Sequence, residues 1–297
     1  MGKRESVANP DAARLTVAGL ITIIPQSFVL VFKRCGLNFF RKSALRLRWA
    51  LTSLRDWSDY RKHQAAFLAK ARDTTVKRIE SPLGERTRHV YQIAGSATLT
   101  TFQLHQRHGI IESLYPSKLT SLLDIGCCRG WFVIKAAERP ECERATGIDV
   151  VPGFIDAANE AKAALGQDKA DFHYAFLDDL IADPRKFRTP YQTLILLNTY
   201  HYMYWGSAYS PRHWADHDYL LRSLAAVCTD RMIFMGPLEV DECPADIAER
   251  AKAHPDWGAA YTTATFMDVA SRYFHVTHHS NMGERPVYVL TRKTSPA

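Results

Sequence analysis

From Ser117 onward, short apolar runs alternate with longer segments of helical periodicity. The runs predict strands over Leu122–Ile125, Ala145–Val150, Phe172–Leu177, Thr193–Leu197, Met232–Met235, Phe274–His278 and Pro286–Thr291. The periodic segments predict helices over Trp131–Glu138, Gly153–Leu165, Asp216–Ala226, Pro244–Ala253 and Thr265–Tyr273. Strands alternating with helices imply an α/β fold, a doubly wound seven-stranded sheet that is mostly parallel. Only a short loop around Ser280–Arg285 separates the last two strands, so they should close the sheet as an antiparallel hairpin.

The first part of the chain reads differently. Leu15–Phe32 is an 18-residue stretch without a charge, at the lower limit for crossing a bilayer and interrupted by Pro25, Gln26 and Ser27. It suits one or two core helices, a segment dipping into a membrane, or a short span followed by Lys33, Arg34, Arg41 and Lys42. A long helix is expected to follow from Asn38, a good N-cap, with Phe40, Ala44, Leu47, Leu51 and Leu54 on one stripe. Arg41, Arg48, Arg55 and Lys62 recur every seventh residue beside it, as on a solvated face or on a helix resting on anionic headgroups. Ser81–Arg88 reads as a loop and the stretch up to Tyr115 as mixed helix. This divides the chain into a helical, basic extension over 1–116 and an α/β domain over 117–297.

Charge sharpens that division. Residues 1–116 carry 19 Lys and Arg against 8 Asp and Glu, whereas the remainder carries 19 against 23. A basic half suggests an anionic partner, either a membrane surface touched through 15–62 or nucleic acid. Nothing in the sequence speaks to oligomeric state. The six cysteines show no disulfide-framework spacing, and no cleavable signal is evident, so a reducing, cytoplasmic compartment is expected.

The chemistry concentrates at the predicted strand tips. The segment "LLDIGCCRGWF" (Leu122–Phe132) places Asp124, Gly126 and Gly130 in the first strand-to-helix turn, where ligands of doubly wound sheets bind. It lacks the Gly-x-Gly-x-x-Gly dinucleotide pattern, and an acid before the first glycine suits a cationic group rather than a pyrophosphate. Cys127 and Cys128 are neither a Cys-x-x-Cys pair nor accompanied by zinc-spaced partners, so they read as small packing residues and no metal site is expected. Asp149 ends the second strand, where a carboxylate can take both hydroxyls of a ribose. Asp178 and Asp179 follow the third strand, and "NTYHYMYW" (Asn198–Trp205) the fourth. In that aromatic segment His201 is a candidate general base, with Tyr200 beside it, and Glu239 after the fifth strand is a second candidate or an orienting group.

This order of Asp-x-Gly-x-x-x-Gly, strand-two acid and strand-four tip resembles the class I S-adenosylmethionine-dependent methyltransferases over about residues 117–293. The resemblance implies a Rossmann-like fold and S-adenosylmethionine as cofactor. It implies that Asp124, Gly126, Cys127 and Gly130 face the methionine part and that Asp149, with Val150 next to it, holds the ribose. Leu177 and Asp178 would flank the adenine, and Asn198 would sit beside the sulfonium. Two positions depart from the pattern: Cys128 stands where a glycine is common, and Phe176 stands where the adenine-reading acid usually lies. The strand-four histidine, the Glu after strand five and "RPVYVL" near the end also resemble the methyltransferase part of bacterial O-antigen chain-terminating methyltransferase–kinases.

The expected activity is methyl transfer to a hydroxyl of a glycan or lipid-linked sugar, with His201 as base, at the cytoplasmic face of a membrane or free in the cytoplasm. RNA, a small aromatic natural product, and a non-catalytic cofactor-binding scaffold are the alternatives.

Overall fold

A computed structural model describes residues 38–80, 90–283 and 285–293, with side chains from Arg55 onward. Leu15–Phe32 and the apolar stripe from Phe40 to Leu54 lie outside the described side chains. The chain divides into two compact units, Met1–Ala50 and Leu51–Ala297. Of the first, only the beginning of helix α1 (Asn38–Ala71) is described. No described helix is long and apolar enough to cross a membrane.

The second unit is built on a seven-stranded sheet of β4 (Ser121–Ile125), β5 (Arg144–Asp149), β6 (Ala170–Tyr174), β7 (Tyr191–Leu197), β8 (Cys228–Met235), β9 (Phe274–Met282) and β10 (Arg285–Arg292). Their order is β6-β5-β4-β7-β8-β10-β9. The first five are parallel, while β10 runs antiparallel to β8 and to β9; β9 and β10 form a hairpin with Arg285 opposite Met282. The strand order reverses between β4 and β7, the position at which open α/β sheets bind ligands.

Alternation along each central strand explains why the sheet is covered on both faces. Leu194 and Leu196 point into one apolar cluster with Phe234 and Leu290, whereas Ile195 points into the other with Ile233 and Val287. The first cluster is roofed by α5 (Leu177–Ala182), α6 (Tyr200–Trp205), α7 (His217–Ala226) and α10 (Thr263–Tyr273). The second is covered by α2 (Phe102–Glu112), α3 (Trp131–Ala137) and α4 (Pro152–Leu165). Helices α8 (Ala245–Ala253) and α9 (Pro255–Ala260) complete the described elements after β8.

Two stretches differ from the sequence reading. The segment taken as mixed helix contains two short antiparallel strands, β2 (Tyr91–Ala94) and β3 (Ala97–Thr100), and a third, β1 (Val76–Ile79), which lies before Ser81 in the chain, pairs with β2. Their alternate residues Ile79, Tyr91 and Ile93 are buried with Leu104 and Ile111 of α2, against the sheet domain. They therefore belong to the unit that starts at Leu51. The third strand of the large sheet also stops at Tyr174 rather than at Leu177. Asp179 accepts from the Phe176 backbone N–H and donates its own N–H to the Phe176 carbonyl, and this local turn starts α5.

Candidate functional site

A cavity of about 390 Å³ opens at the carboxyl ends of β4, β5, β6 and β7. The first wall is the turn between β4 and α3. Gly126 and Gly130 have φ of 80° and 76°, the left-handed region that glycine occupies without penalty. A Cβ at Gly126 would overlap the Thr199 side chain, and one at Gly130 would overlap the Phe172 ring, so backbone and neighbours approach closely at both. Gly126 and Cys127 donate their N–H groups to the Ile148 carbonyl, tying the turn to β5. From below, the Tyr91 hydroxyl donates to the Arg129 carbonyl at 2.7 Å.

The two cysteines have separate duties. Cys127 is buried, and its Sγ occupies the space that a Cβ on Gly147 would need. Cys128 sits at φ 52°, a left-handed conformation unusual for a residue with a side chain. Its N–H donates to Asp149 Oδ2 at 2.9 Å, and the Arg129 guanidinium donates to its sulfur at 3.4 Å. Burial pushes the Cys127 thiol up and that of Cys128 to about 12, so neither supplies a thiolate near neutral pH. Among the described residues no group of three or more His, Cys, Asp or Glu is placed to hold a metal ion.

Asp149 is anchored by two backbone donors, Cys128 N–H and Val151 N–H at 3.0 Å, one on each oxygen. Each carboxylate oxygen has a second lone pair, so the group can still accept from a ligand. Asp124, 3% exposed, also lines the cavity. Burial and the nearby Asp149 push its pKa up to about 8, and no cationic group pairs with it among the described residues.

The cavity is lined by Asp124, Gly126, Cys127, Asp149, Val150, Leu177 and Asn198 of the residues that the sequence put forward for cofactor. Gly130 and Asp178 do not line it. Gly130 supports the turn as the N-cap of α3. Asp178 accepts from the Tyr219 hydroxyl at 2.6 Å.

The three residues put forward for catalysis stand off the cavity. Tyr200 is 1% exposed, inside the aromatic core with Phe234, Phe266 and His217, and its hydroxyl meets His217 Nδ1 at 2.6 Å. Glu239 Oε1 accepts from the Thr263 N–H at 2.8 Å, beside the start of α10. His201 is 2% exposed, its Nδ1 has no hydrogen-bond partner, and burial together with Arg285 lowers its pKa to about 3. Tyr200, Met203 and Tyr204, three and four apart on α6, share its buried face, with Met203 also reaching the cavity, and Tyr202 lines the cavity from another face.

Several lining residues escaped the sequence reading. Thr199 packs against Gly126, and Ser207, Tyr209, Ser210, Arg212 and Trp214 also line the cavity. Arg107 from α2 and Arg129 add positive charge at the β4 side. Arg285 is outside the lining, yet its guanidinium donates to Asn198 Oδ1, so the Asn198 carboxamide keeps its NH₂ group for other partners.

Comparison with known proteins follows this geometry. No family model matches the chain. Nodulation protein S of Rhizobium tropici is 33% identical over 122 residues, covering 38% of this chain and 49% of that protein. The match thus spans about half the length of that curated relative. Among solved structures, the N-methyltransferase NodS from Bradyrhizobium japonicum WM9 is 14% identical with a TM-score of 0.43, covering 65% of this chain and 97% of that one. The bifunctional kinase-methyltransferase WbdD is 17% identical with a TM-score of 0.46, covering 62% and 39%. The N-terminal domain of EvdMO1, solved with SAH and D-fucose, is 13% identical with a TM-score of 0.41, covering 63% and 81%.

Proposed function

We propose that the chain is an S-adenosylmethionine-dependent methyltransferase whose cofactor lies in the cavity at the tips of β4, β5 and β6. The observation that carries this reading is the pair of buried acids at successive strand tips. Asp124 is a buried carboxyl without a cation, which fits an ammonium; Asp149 is a fixed carboxylate with free lone pairs, which fits two vicinal hydroxyls. An amino-acid end and a ribose held at the tips of neighbouring strands describe S-adenosylmethionine. Bound there, the cofactor would supply an electrophilic methyl group on a sulfonium. Gly126 makes room for the Thr199 side chain, and Asn198 and Thr199 at the tip of β7 line the same space.

The acceptor in this reading is a hydroxyl of a sugar, free, in a glycan or lipid-linked. Tyr202, Ser207, Tyr209 and Trp214 line the cavity with aromatic rings and hydroxyl-bearing side chains, a combination suited to a polyhydroxylated ring. A base with a pKa of about 3 accepts a proton weakly, and His201 does not line the cavity. The rate then rests on in-line positioning of acceptor and methyl: the O–C bond would form as the S–C bond of the sulfonium breaks, S-adenosylhomocysteine would leave, and the hydroxyl proton would pass to solvent. On this basis His201→Ala keeps a measurable rate; complete loss of transfer with cofactor affinity intact would restore the imidazole as the base.

The experiment is methyl labelling. The purified chain and methyl-labelled S-adenosylmethionine are incubated with an extract of cells lacking the gene, and glycan, lipid-linked glycan, RNA and small molecules are separated. Label in a glycan fraction is the expected result. Label in RNA would reassign the acceptor and turn the basic half of the chain into a phosphate-binding face. Absence of label in every fraction, with the cofactor bound, would favour a non-catalytic binding protein.

A further inference from the structure

The β6 end of the cavity departs from the pattern that the sequence resembles. Asp124 lies at the tip of β4 and Asp149 at the tip of the neighbouring β5, so a ligand held by both continues toward the tip of β6. Neither acid of the segment that follows β6, Asp178 or Asp179, lines the cavity; among the described residues its lining carboxylates are Asp124, Asp149 and, from α8, Asp246. Phe176 occupies the position of the expected acid and lines the cavity. The two acids that follow are engaged in holding the fold. Asp178 accepts from Tyr219, as noted, and Asp179 accepts from the Phe176 N–H at 2.8 Å while lying 3.8 Å from Arg212.

What this end offers instead is a stack. The Arg212 guanidinium carbon sits 4.1 Å from the centroid of the Phe176 ring, and Tyr174 meets the same ring edge-on at 5.9 Å. Arg212 lines the cavity as well and comes from the 206–216 segment between α6 and α7. An aromatic ring braced by a guanidinium and an aromatic edge is a suitable platform for a flat nucleobase, which needs only a π-face to stack on.

We infer that Phe176, braced by Arg212, is the platform on which the cofactor's adenine stacks, taking the place of a carboxylate that reads its amino group. The inference rests on the cavity being the S-adenosylmethionine pocket. Phe176 touches the base; Arg212 is a positioning residue that holds the ring and ties the 206–216 segment to it. An exposed cation–π contact and a long ion pair are individually weak, so losing Arg212 costs less than losing the ring.

The test is equilibrium binding of S-adenosylhomocysteine to the full chain by calorimetry, with thermal melts to confirm folding. Phe176→Ala should weaken binding by about tenfold or more, within the range seen when a base loses an aromatic partner. Phe176→Leu, which keeps apolar volume but has no flat face, should lose most of the same factor, and Phe176→Tyr should stay within about threefold of wild type. Arg212→Met should weaken binding about threefold, with Arg212→Lys recovering part of it. Asp178→Asn should bind as wild type. If the wild type binds but Phe176→Leu binds equally well, or Asp178→Asn loses more than tenfold, the stacking platform is wrong and the cofactor assignment survives. Tighter binding by Arg212→Met would overturn the inference too, because Arg212 would then occupy the base's place. A wild type that does not bind at all overturns the cofactor assignment, and the platform with it.

Discussion

Asp124 carries a consequence that can be measured without knowing the acceptor. Burial beside Asp149 raises its pKa to about 8, so in the free protein it holds a proton at pH 7. An ammonium set against it would favour the ionised form and lower that pKa, releasing the proton on binding. The free protein therefore holds more protons than the complex below pH 8, and affinity must rise with pH across about pH 6 to 8 and level off above. Titration of S-adenosylhomocysteine at pH 7 in buffers of different ionisation enthalpy should register release of up to one proton, and Asp124→Asn should remove it. Proton uptake, or no exchange in the wild type, would place the cationic end elsewhere. Asp124, Gly126 and Asp149 were legible in the sequence because the residues that end consecutive parallel strands meet at one edge. That Tyr200 and His201 stand off the cavity was not legible, because the string alone does not say which residues of a six-residue helix face the core.

Among the elements, β2 acts on the site from outside the large sheet. Tyr91 is fully buried, and its hydroxyl holds the carbonyl of Arg129 in the turn whose flanking residues line the cavity. Tyr91→Phe should cost about 1 kcal/mol in stability, as expected for one lost buried hydrogen bond, and weaken S-adenosylhomocysteine by a few-fold. Denaturant unfolding and binding measured on the same sample check both, and an unchanged affinity would detach β2 from the site. The signal for β2 and β3 was present in the sequence: Ile93 and Ala94, then Gly95-Ser96, then Ala97 to Thr100 is a two-residue hairpin with glycine at a positive φ. It was obscured by the helical flanks on either side. The parallel strands were easier to read because both their faces are buried, which leaves continuous apolar runs bounded by Gly, Asp and Pro. The early end of β6 depended on one side-chain turn at Asp179, a contact that periodicity does not encode.

Across the whole molecule, the connectivity puts the two halves of a candidate ligand site on different segments that meet only when the sheet forms. The turn after β4, the tips of β5 and β6 and the 206–216 segment each supply part of one cavity. That is why the strand-tip acids could be anticipated while Arg212, Tyr209 and Trp214 could not: their segment lacks the periodicity of a strand or helix, and its place is set by tertiary packing. Whether this cavity holds S-adenosylmethionine by Asp149 and its strand-tip neighbours is decided by calorimetric binding of S-adenosylhomocysteine to the wild-type chain and to Asp149→Ala. Saturable one-to-one binding by the wild type is expected, with a loss of roughly ten- to a hundredfold in the variant, as when buried hydrogen bonds to a ligand are removed. Absence of binding by the wild type, or equal affinity in a folded Asp149→Ala, would contradict that assignment.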